Sequence, residues 1–281
     1  MKIGIFDSGI GGISVLHEAY HRLPNEEYIF YADVDHVPYG QRKPEDIIRY
    51  SDCIVNELIE MGVDAILIAC NTATSVAAEH LRAKYSIPII GMEPAVKPAV
   101  EAAKDSDGRV LVMATPVTIR ENKLHRLLDL VDRAHIVDLL PMPRFVLFAE
   151  RGIFDSKDVD AYIEERLAMY DKDSFSEVVL GCTHFNYFKP AIIKAFTSDD
   201  KDRKMPDLID GNVGTVNHLA DVLGLESKDI ELEMGKERFA KAFADAESRT
   251  TYLMSGRPAS LEEYNKIRSL HERLEVVRSI G

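Results

Sequence analysis

The sequence predicts an α/β fold made of two similar open-sheet domains, because short aliphatic runs alternate with amphipathic helices along most of the chain. Residues 65–68 (AILI) and 178–180 (VVL) are the clearest such runs. Both are apolar without alternation, as is typical of parallel strands buried on two faces. At 281 residues, the chain is long for one open sheet and long enough for two ordinary domains.

The first half is predicted to alternate strands and helices in regular order. Pro44 suits the first turn of a helix, and the apolar residues from Ile47 to Met61 recur at helical spacing before Gly62 ends it. In order, the predicted elements are a strand over 2–6, a glycine turn over 7–12, a helix over about 13–22, a strand over 28–32, a helix opening at 44, a strand over 65–68, a helix over about 73–85 and a strand over 87–91.

The same alternation starts again after residue 95, which indicates an internal duplication. Asp7 precedes Cys70 by 63 positions, and Thr115 precedes Cys182 by 67. The two cysteines are then mates under a pseudo-two-fold axis. The second set of predicted elements is a strand over 109–114, a turn over 115–118, a helix to about 130, a strand over 136–139, a helix over about 157–170 and a strand over 178–180.

The domain boundaries follow from where the repeat begins and ends. We predict a second domain over residues 95–207 and a first domain over 1–94 plus 208–281, with the strand Leu208–Ile209 returning to the first sheet. Ser260 and Glu263 have the spacing of a capping box, which predicts a final helix from about residue 261 to near the C-terminus.

Composition excludes several classes of protein. The net charge is −13, which opposes binding to nucleic acid or to anionic lipid. No run approaches the roughly 20 apolar residues of a membrane span, and the N-terminus enters a strand with no signal peptide. Three cysteines do not make a disulfide framework. These features predict a cytoplasmic protein that contacts neither nucleic acid nor membrane.

The clearest chemical signal is the pair Cys70 and Cys182. Each follows a predicted buried strand, so each lies at the carboxyl end of a strand, where α/β folds place their sites. Small polar residues follow both, NT after the first and TH after the second. Together with a helix N-terminus, such donors lower a thiol pKa from its usual ~8.5. Two thiols of this kind predict a two-base reaction, whereas mid-helix Cys53 fits a buried structural cysteine.

Other chemistries fit less well. The chain has no C-x-x-C, no H-E-x-x-H and no clustered histidine, so no metal site is predicted. A cysteine protease would leave the second thiol unexplained. Gly9 and Gly11 match two glycines of a dinucleotide-binding turn, but Ser14 replaces the third and Asp7 would repel a pyrophosphate. Because Asp33 is well placed for a ribose, this alternative stays open.

Three further polar residues could tune or relay protons, namely Asp7, His184 and Glu150. Spacing alone favours a solvated surface position for Glu150. For Asp7 and His184 it favours a structural and a functional role equally.

Four motifs in the same order resemble the glutamate racemase family: residues 6–12 (FDSGIGG), 37–40 (VPYG), 69–73 (ACNTA) and 180–184 (LGCTH). The resemblance runs from the N-terminus to about Asp210 and more loosely beyond. It implies two domains facing each other across a cleft that holds the site, activity without pyridoxal phosphate, other cofactor or metal, and a homodimer. It also implies that the enzyme supplies D-glutamate for bacterial peptidoglycan.

The resemblance further implies roles for individual residues. Cys182 would act on L-glutamate and Cys70 on D-glutamate, while Asp7 and Ser8 would hold the substrate ammonium. The implied catalytic residues are Cys70, Cys182, Asp7, His184 and Glu150. The implied substrate-binding residues are Asp7, Ser8, Pro38, Tyr39, Gly40, Cys70, Asn71, Thr72, Thr118, Cys182, Thr183 and His184. A racemase of another small amino acid, such as aspartate, and a nucleotide-binding regulatory protein remain the alternatives.

Overall fold

A computed structural model describes residues 1–106, 108–197 and 204–280, and its strands form two sheets. The elements of the first half are β1 (Lys2–Asp7), α1 (Ile13–Arg22), β2 (Glu27–Ala32), α2 (Pro44–Glu60), β3 (Ala65–Ile68), α3 (Asn71–Lys84) and β4 (Ile89–Gly91).

The second half contains α4 (Val96–Ser106), β5 (Arg109–Ala114), α5 (Pro116–Arg120), α6 (Asn122–Val131), β6 (Val137–Pro141), α7 (Pro143–Glu150), α8 (Lys157–Leu167), β7 (Phe175–Gly181), α9 (Lys189–Thr197) and β8 (Asp207–Asp210). The chain ends with α10 (Asn212–Leu223), α11 (Ile230–Met234), α12 (Lys236–Ser248), β9 (Thr250–Met254), β10 (Arg257–Pro258) and α13 (Leu261–Arg278).

The two sheets repeat one topology. The first has the order β10-β9-β2-β1-β3-β4 and the second the order β6-β5-β7-β8, so the segment β2-β1-β3-β4 corresponds to β6-β5-β7-β8. Apart from the antiparallel β9–β10 pair, every pairing is parallel. The predicted α/β class is confirmed, and the shared strand order is what a duplication would produce.

The strand Leu208–Ile209 is in the second sheet, so the prediction that it returns to the first is wrong. Val178 is in register with Leu208, and Leu180 with Asp210. By pairing there, β8 satisfies the backbone groups on the open edge of β7, as β4 does for β3. The chain returns to the first half only at α10, which packs against α1. We therefore propose a division between the domains after residue 210.

Most other elements lie where periodicity predicts them, with local differences. The helix predicted to reach about residue 130 is broken at Glu121, whose backbone is extended at φ −69° and ψ 135°. The helix predicted to start near residue 73 begins at Asn71, because Cys70 itself caps it. Cys53 is exposed, contrary to the buried position predicted for it.

The predicted capping box at the final helix is present. The Ser260 hydroxyl accepts from the Glu263 N–H, and the Glu263 carboxylate accepts from the Ser260 N–H. Among the described residues, no helix combines the length and the apolar character needed to cross a bilayer.

One cluster of buried side chains runs through both halves. It includes Ile5 of the first sheet together with Leu111 and Val178 of the second. Two smaller clusters lie on the outer faces of the sheets. The carboxyl ends of β1, β3 and β7 therefore rest on a continuous packed core.

Candidate active site

The two cysteines end corresponding strands, since Cys70 follows β3 and Cys182 comes directly after β7. Both are almost fully buried, with exposures of 5% and 7%. Asp7 joins their surroundings, because its carboxylate accepts hydrogen bonds both from Ser8, beside Cys70, and from Thr183, the residue after Cys182. The pair predicted from strand ends is therefore brought together by the fold.

Cys70 is held as a neutral thiol. Its Sγ accepts from the Ala73 N–H at 3.4 Å and lies 3.9 Å from the Ser8 hydroxyl. Burial first, and then the Asp7 carboxylate, raise the pKa of Cys70 well above its ordinary value. The helix N-terminus acts in the other direction but is outweighed, so the prediction of a lowered thiol pKa is wrong for Cys70.

Cys182 lies beside a cation instead. His184 Nδ1 is 3.8 Å from the Cys182 sulfur, and His184 Nε2 is 2.7 Å from Glu150 Oε1. Burial would lower the pKa of His184, but hydrogen bonds to Cys182 and Glu150 outweigh it and raise that pKa well above the usual value. A cationic imidazole at this distance is the charge partner that a thiolate needs.

Glu150 belongs to the chain of contacts Cys182–His184–Glu150, called the relay below, and does not lie on the solvated surface that its spacing indicates. Its side chain is only 16% exposed. Oε1 accepts from the Ile10 N–H at 2.9 Å, and its backbone carbonyl accepts from Lys266 Nζ at 2.6 Å. The position of the carboxylate is thus fixed from the first domain, across the boundary between the two halves.

Asp7 is a fully buried carboxylate at the end of β1. Its Oδ1 accepts from the Ser8 N–H at 2.6 Å, and its Oδ2 accepts from the Thr183 hydroxyl at 3.1 Å. Burial raises the pKa of Asp7 above its ordinary value of 3.8, with His184 acting in the opposite direction. Among the described ion pairs Asp7 has none, so a cationic group of a ligand would be its natural partner.

Three threonine hydroxyls join the two halves on the Cys70 side. Thr72 Oγ1 lies 3.0 Å from Thr115 Oγ1 and 3.2 Å from Thr118 Oγ1. Thr115 also caps α5 by accepting from the Thr118 N–H. The family resemblance implies Thr72 and Thr118 but not Thr115. The signals for Thr115 in the sequence are a threonine-proline pair at a helix start and its place opposite Asp7 in the repeat.

The Pro38–Gly40 loop is held in place by a hydrogen bond from Tyr39 to Asp33. The Tyr39 hydroxyl donates to Asp33 Oδ2 at 2.6 Å, and His36 Nδ1 lies 2.8 Å from the same carboxylate. A side chain on Gly40 would approach Thr115 Cβ to 2.8 Å. Asp33 thus positions Tyr39 and is not free for the ribose contact that the dinucleotide alternative requires.

Comparison with known proteins agrees with this geometry. The family model described as Asp/Glu/hydantoin racemase matches residues 13–219. A glutamate racemase from Lachnospira eligens is 46% identical over 281 residues, covering 100% of both chains. The chain belongs to the Asp/Glu/hydantoin racemase family.

Solved structures point the same way. A glutamate racemase from Escherichia coli, in complex with L-glutamate and the activator UDP-MurNAc-ala, superposes with a TM-score of 0.71 at 26% identity, covering 90% of this chain and 97% of that one. One from Francisella tularensis in complex with D-glutamate has a TM-score of 0.71 and 26% identity, covering 97% and 92%. The resemblance predicted from four motifs is confirmed at the level of the family.

In this family member the glycine turn serves close packing of side chains. A Cβ on Gly9 would overlap Glu150 Oε1, and a Cβ on Gly11 would overlap His184 Nδ1. A Cβ on Gly12 would lie 2.7 Å from Asp7 Cβ. The space that a dinucleotide-binding turn leaves for phosphates is filled here by the relay, which argues against the nucleotide alternative.

Replacing Gly11 by alanine should therefore displace His184. We expect kcat to fall on the order of 10²-fold, the lower end of the contribution of a positioned acid or base. The matched control is Gly214→Ala on helix α10, because an added Cβ there would meet only Glu93 Cβ, at 3.7 Å. The control should keep full activity and gain roughly 0.5–1 kcal/mol in free energy of unfolding. Equal activities of the two variants, measured as racemisation rates, would contradict this reading of the turn.

A separate cavity of about 150 Å³ lies between the halves beside the site. The charged side chains Glu93 and Lys123 line it together with Asn71 and Thr118, and the rest of the lining is mainly apolar. Neither cysteine lines it. The reacting group of a substrate therefore belongs outside this cavity, on the side of the thiols.

Proposed function

We propose that this protein interconverts L- and D-glutamate by moving the Cα proton between Cys182 and Cys70. The observation that carries the proposal is the pair of thiols at matching strand ends, one beside a cation and one held neutral. A base alone on one side would return the proton to the face it came from. Inversion at Cα needs a base on one face and an acid on the other.

The electrostatics of the site fit an α-amino acid. Asp7 is a buried carboxylate without an ion-pair partner among the described residues, and a substrate ammonium would supply one. The hydroxyl of Thr72 and the N-terminus of α3 present donors that suit the α-carboxylate, whereas the Thr183 hydroxyl donates to Asp7. Asn71 begins the same helix, and its buried Oδ1 has no hydrogen-bond partner among the described residues. We propose that Ser8, Pro38, Tyr39 and Gly40 complete the pocket.

The proposed reaction conserves protons over one turnover. The Cys182 thiolate takes the Cα proton of L-glutamate and becomes a thiol. The Cys70 thiol gives its proton to the opposite face of the planar carbanion and becomes a thiolate. The reverse direction exchanges the two roles. Because a thiolate is a far weaker base than this carbanion, donors fixed around the α-carboxylate must stabilise the developing charge.

The choice of glutamate rests on the relatives. The Lachnospira eligens relative is a glutamate racemase, and the two solved structures hold L- and D-glutamate. Aspartate, which is shorter by one methylene, is the second candidate, because the same thiol pair would serve it. The family model includes racemases of both amino acids by its description.

The test is the circular-dichroism signal of L-glutamate incubated with purified enzyme and reducing agent, without added pyridoxal phosphate. Decay of the signal to zero is expected. A flat trace with L-glutamate and a decay with L-aspartate would keep the mechanism and replace the substrate. Flat traces with both would overturn the proposal.

We further propose a cytoplasmic homodimer that uses no cofactor and supplies D-glutamate for peptidoglycan, as the family resemblance implies. Light scattering at the concentration of the activity assay would measure the oligomeric state, and a monomeric mass would contradict the homodimer.

Replacing His184 by asparagine should lower kcat/KM roughly 10²-fold, because the cation beside Cys182 is lost. The two enantiomers have equal free energies, so kcat/KM must fall equally in both directions. The affected thiol is identified by substrate isotope effects instead. With α-deuterated L-glutamate the effect should rise, since removal of the proton by Cys182 becomes slower. With α-deuterated D-glutamate it should fall. The opposite pattern would assign His184 to the other thiol.

A further inference from the structure

Three buried histidines lie together in the first domain, on helices α1 and α13. His17 and His21 are four residues apart on one face of α1, and His271 lies on α13. Their exposures are 3%, 0% and 3%. Glu275, one turn after His271, lies against both histidines of α1. The proton transfer proposed above uses none of these residues.

Two of the separations between the ligating atoms are close to those of a metal site. Glu275 Oε1 is 3.3 Å from His17 Nε2 and 3.1 Å from His21 Nε2. One ligand atom from each of the three residues lies within 4.8 Å of the others. In a regular tetrahedron with bonds of about 2.0–2.2 Å, ligand atoms are about 3.3–3.6 Å apart. The two measured separations are close to this range.

The polar atoms of the cluster are poorly satisfied without an ion. His17 Nε2 is too poorly aligned with Glu275 for a hydrogen bond, and among the described residues it has no other partner. His21 Nδ1 and His271 Nε2 are also buried without a hydrogen-bond partner in the described chain. A buried polar nitrogen left unpaired costs stability, so several together in one place suggest a missing partner.

Contacts to the other ring nitrogen, Nδ1, orient His17 and His21 for ligation through Nε2. His17 Nδ1 lies 3.0 Å from His271 Nδ1, and the tautomer in which His17 donates this hydrogen bond has the Nε2 lone pair of His17 free for a metal. Glu231 Oε2 is 4.0 Å from His21 Nδ1 and favours a proton on that nitrogen, which leaves the Nε2 lone pair of His21 for a metal.

Charge and surroundings are compatible with a divalent ion. Two carboxylates, Glu275 and Glu231, would balance its charge. The nearby Arg278 is already paired with Glu18 and Asp229. Phe239 stacks on the His21 ring at 4.2 Å between centroids and gives the site an apolar wall. The Glu275 side chain is 40% exposed, which leaves a path from solvent.

We propose that His17, His21 and Glu275 form a binding site for Zn²⁺, with a water in the fourth position. Two imidazoles and a carboxylate are a common zinc ligand set, and imidazole favours the late divalent metals. The ion would tie α1, which begins at the active-site turn, to the C-terminal helix α13. The site departs from the sequence prediction of no metal, because Glu275 lies 254 positions after His21.

The test must exclude the thiols, which also bind zinc. We would therefore dialyse the full-length Cys53→Ser/Cys70→Ser/Cys182→Ser variant against ZnCl₂ and measure bound metal. One zinc per chain is expected, with a rise in Tm. Adding Glu275→Gln should weaken binding by at least about 100-fold, the upper end of the effect of losing an outer-shell partner, and should abolish the rise in Tm. The matched control, His125→Asn, removes an exposed histidine on α6 and should change neither result.

Cobalt gives a geometric readout with the same proteins. The triple-serine variant should develop the intense visible bands of four-coordinate Co²⁺, and Glu275→Gln should remove them. Absence of bound zinc in the triple-serine variant would overturn the proposal. So would an equal loss of zinc in the Glu275→Gln and His125→Asn variants, because binding would then be adventitious.

Discussion

Replacing either Cys70 or Cys182 by serine is expected to lower kcat for glutamate racemisation by roughly 10²–10⁴-fold, the contribution of a positioned acid or base. A serine hydroxyl keeps the shape of the site but is a far weaker acid than a thiol. The third cysteine provides the matched control. Cys53 is exposed on α2, so Cys53→Ser should leave kcat and KM unchanged.

Each serine variant should also keep one half of the reaction. In D₂O, Cys70→Ser leaves the Cys182 base intact and should slowly place deuterium at Cα of L-glutamate without inversion. Cys182→Ser should do the same for D-glutamate. Proton NMR of each enantiomer measures the exchange. Racemisation by either variant at a rate near that of Cys53→Ser would contradict the two-base assignment.

Replacing Asp7 by asparagine should separate activity from stability. We expect kcat/KM to fall on the order of 10²-fold or more, because the neutral amide cannot pair with a substrate ammonium. The fold should become more stable at neutral pH. The amide can still accept from the Ser8 N–H and meet the Thr183 hydroxyl, while the burial of an ionised carboxylate is removed.

The sign of this effect depends on pH. The pKa of Asp7 is raised in the folded protein, so its ionisation destabilises the fold as pH rises through that value. Below 3.8, the ordinary pKa, the wild-type carboxyl is neutral in both the folded and unfolded states. The difference in Tm between Asp7→Asn and wild type should therefore be positive at pH 7 and vanish towards pH 3. Glu45→Gln, on the exposed first turn of α2, is the control and should show no such gain. A lower Tm for Asp7→Asn at pH 7 would contradict this account.

The sequence alone predicted the α/β class, the repeated order of strands and helices, and the positions of the two cysteines at strand ends. Each of these depends on local patterns. Aliphatic runs without alternation predict buried strands, and a cysteine directly after such a run must lie at the carboxyl edge of its sheet. Because Cys70 and Cys182 follow equivalent strands, β3 and β7, their correspondence within the repeat could be predicted without knowing how the domains pack.

Contacts between distant segments required the tertiary structure. The strand at 207–210 is too short for its pattern to specify a sheet, and its place was decided by the free edge of β7. Glu150 has the spacing of a surface residue, but the fold turns it towards His184, 34 positions later. In the sequence, Gly11 resembles part of a nucleotide-binding turn. The structure shows that the absence of a side chain at Gly11 leaves space for His184.

The protonation states of the site residues could not be predicted from the sequence either. The residues around Cys70 and Cys182 look alike in the sequence, and both predict a lowered thiol pKa. In the fold, burial beside Asp7 raises the pKa of Cys70, whereas the raised pKa of His184 places a cation beside Cys182. The residue types could be predicted because strand ends and motifs are local. Their chemical states could not, because desolvation and charge depend on which side chains the tertiary structure brings within a few ångströms.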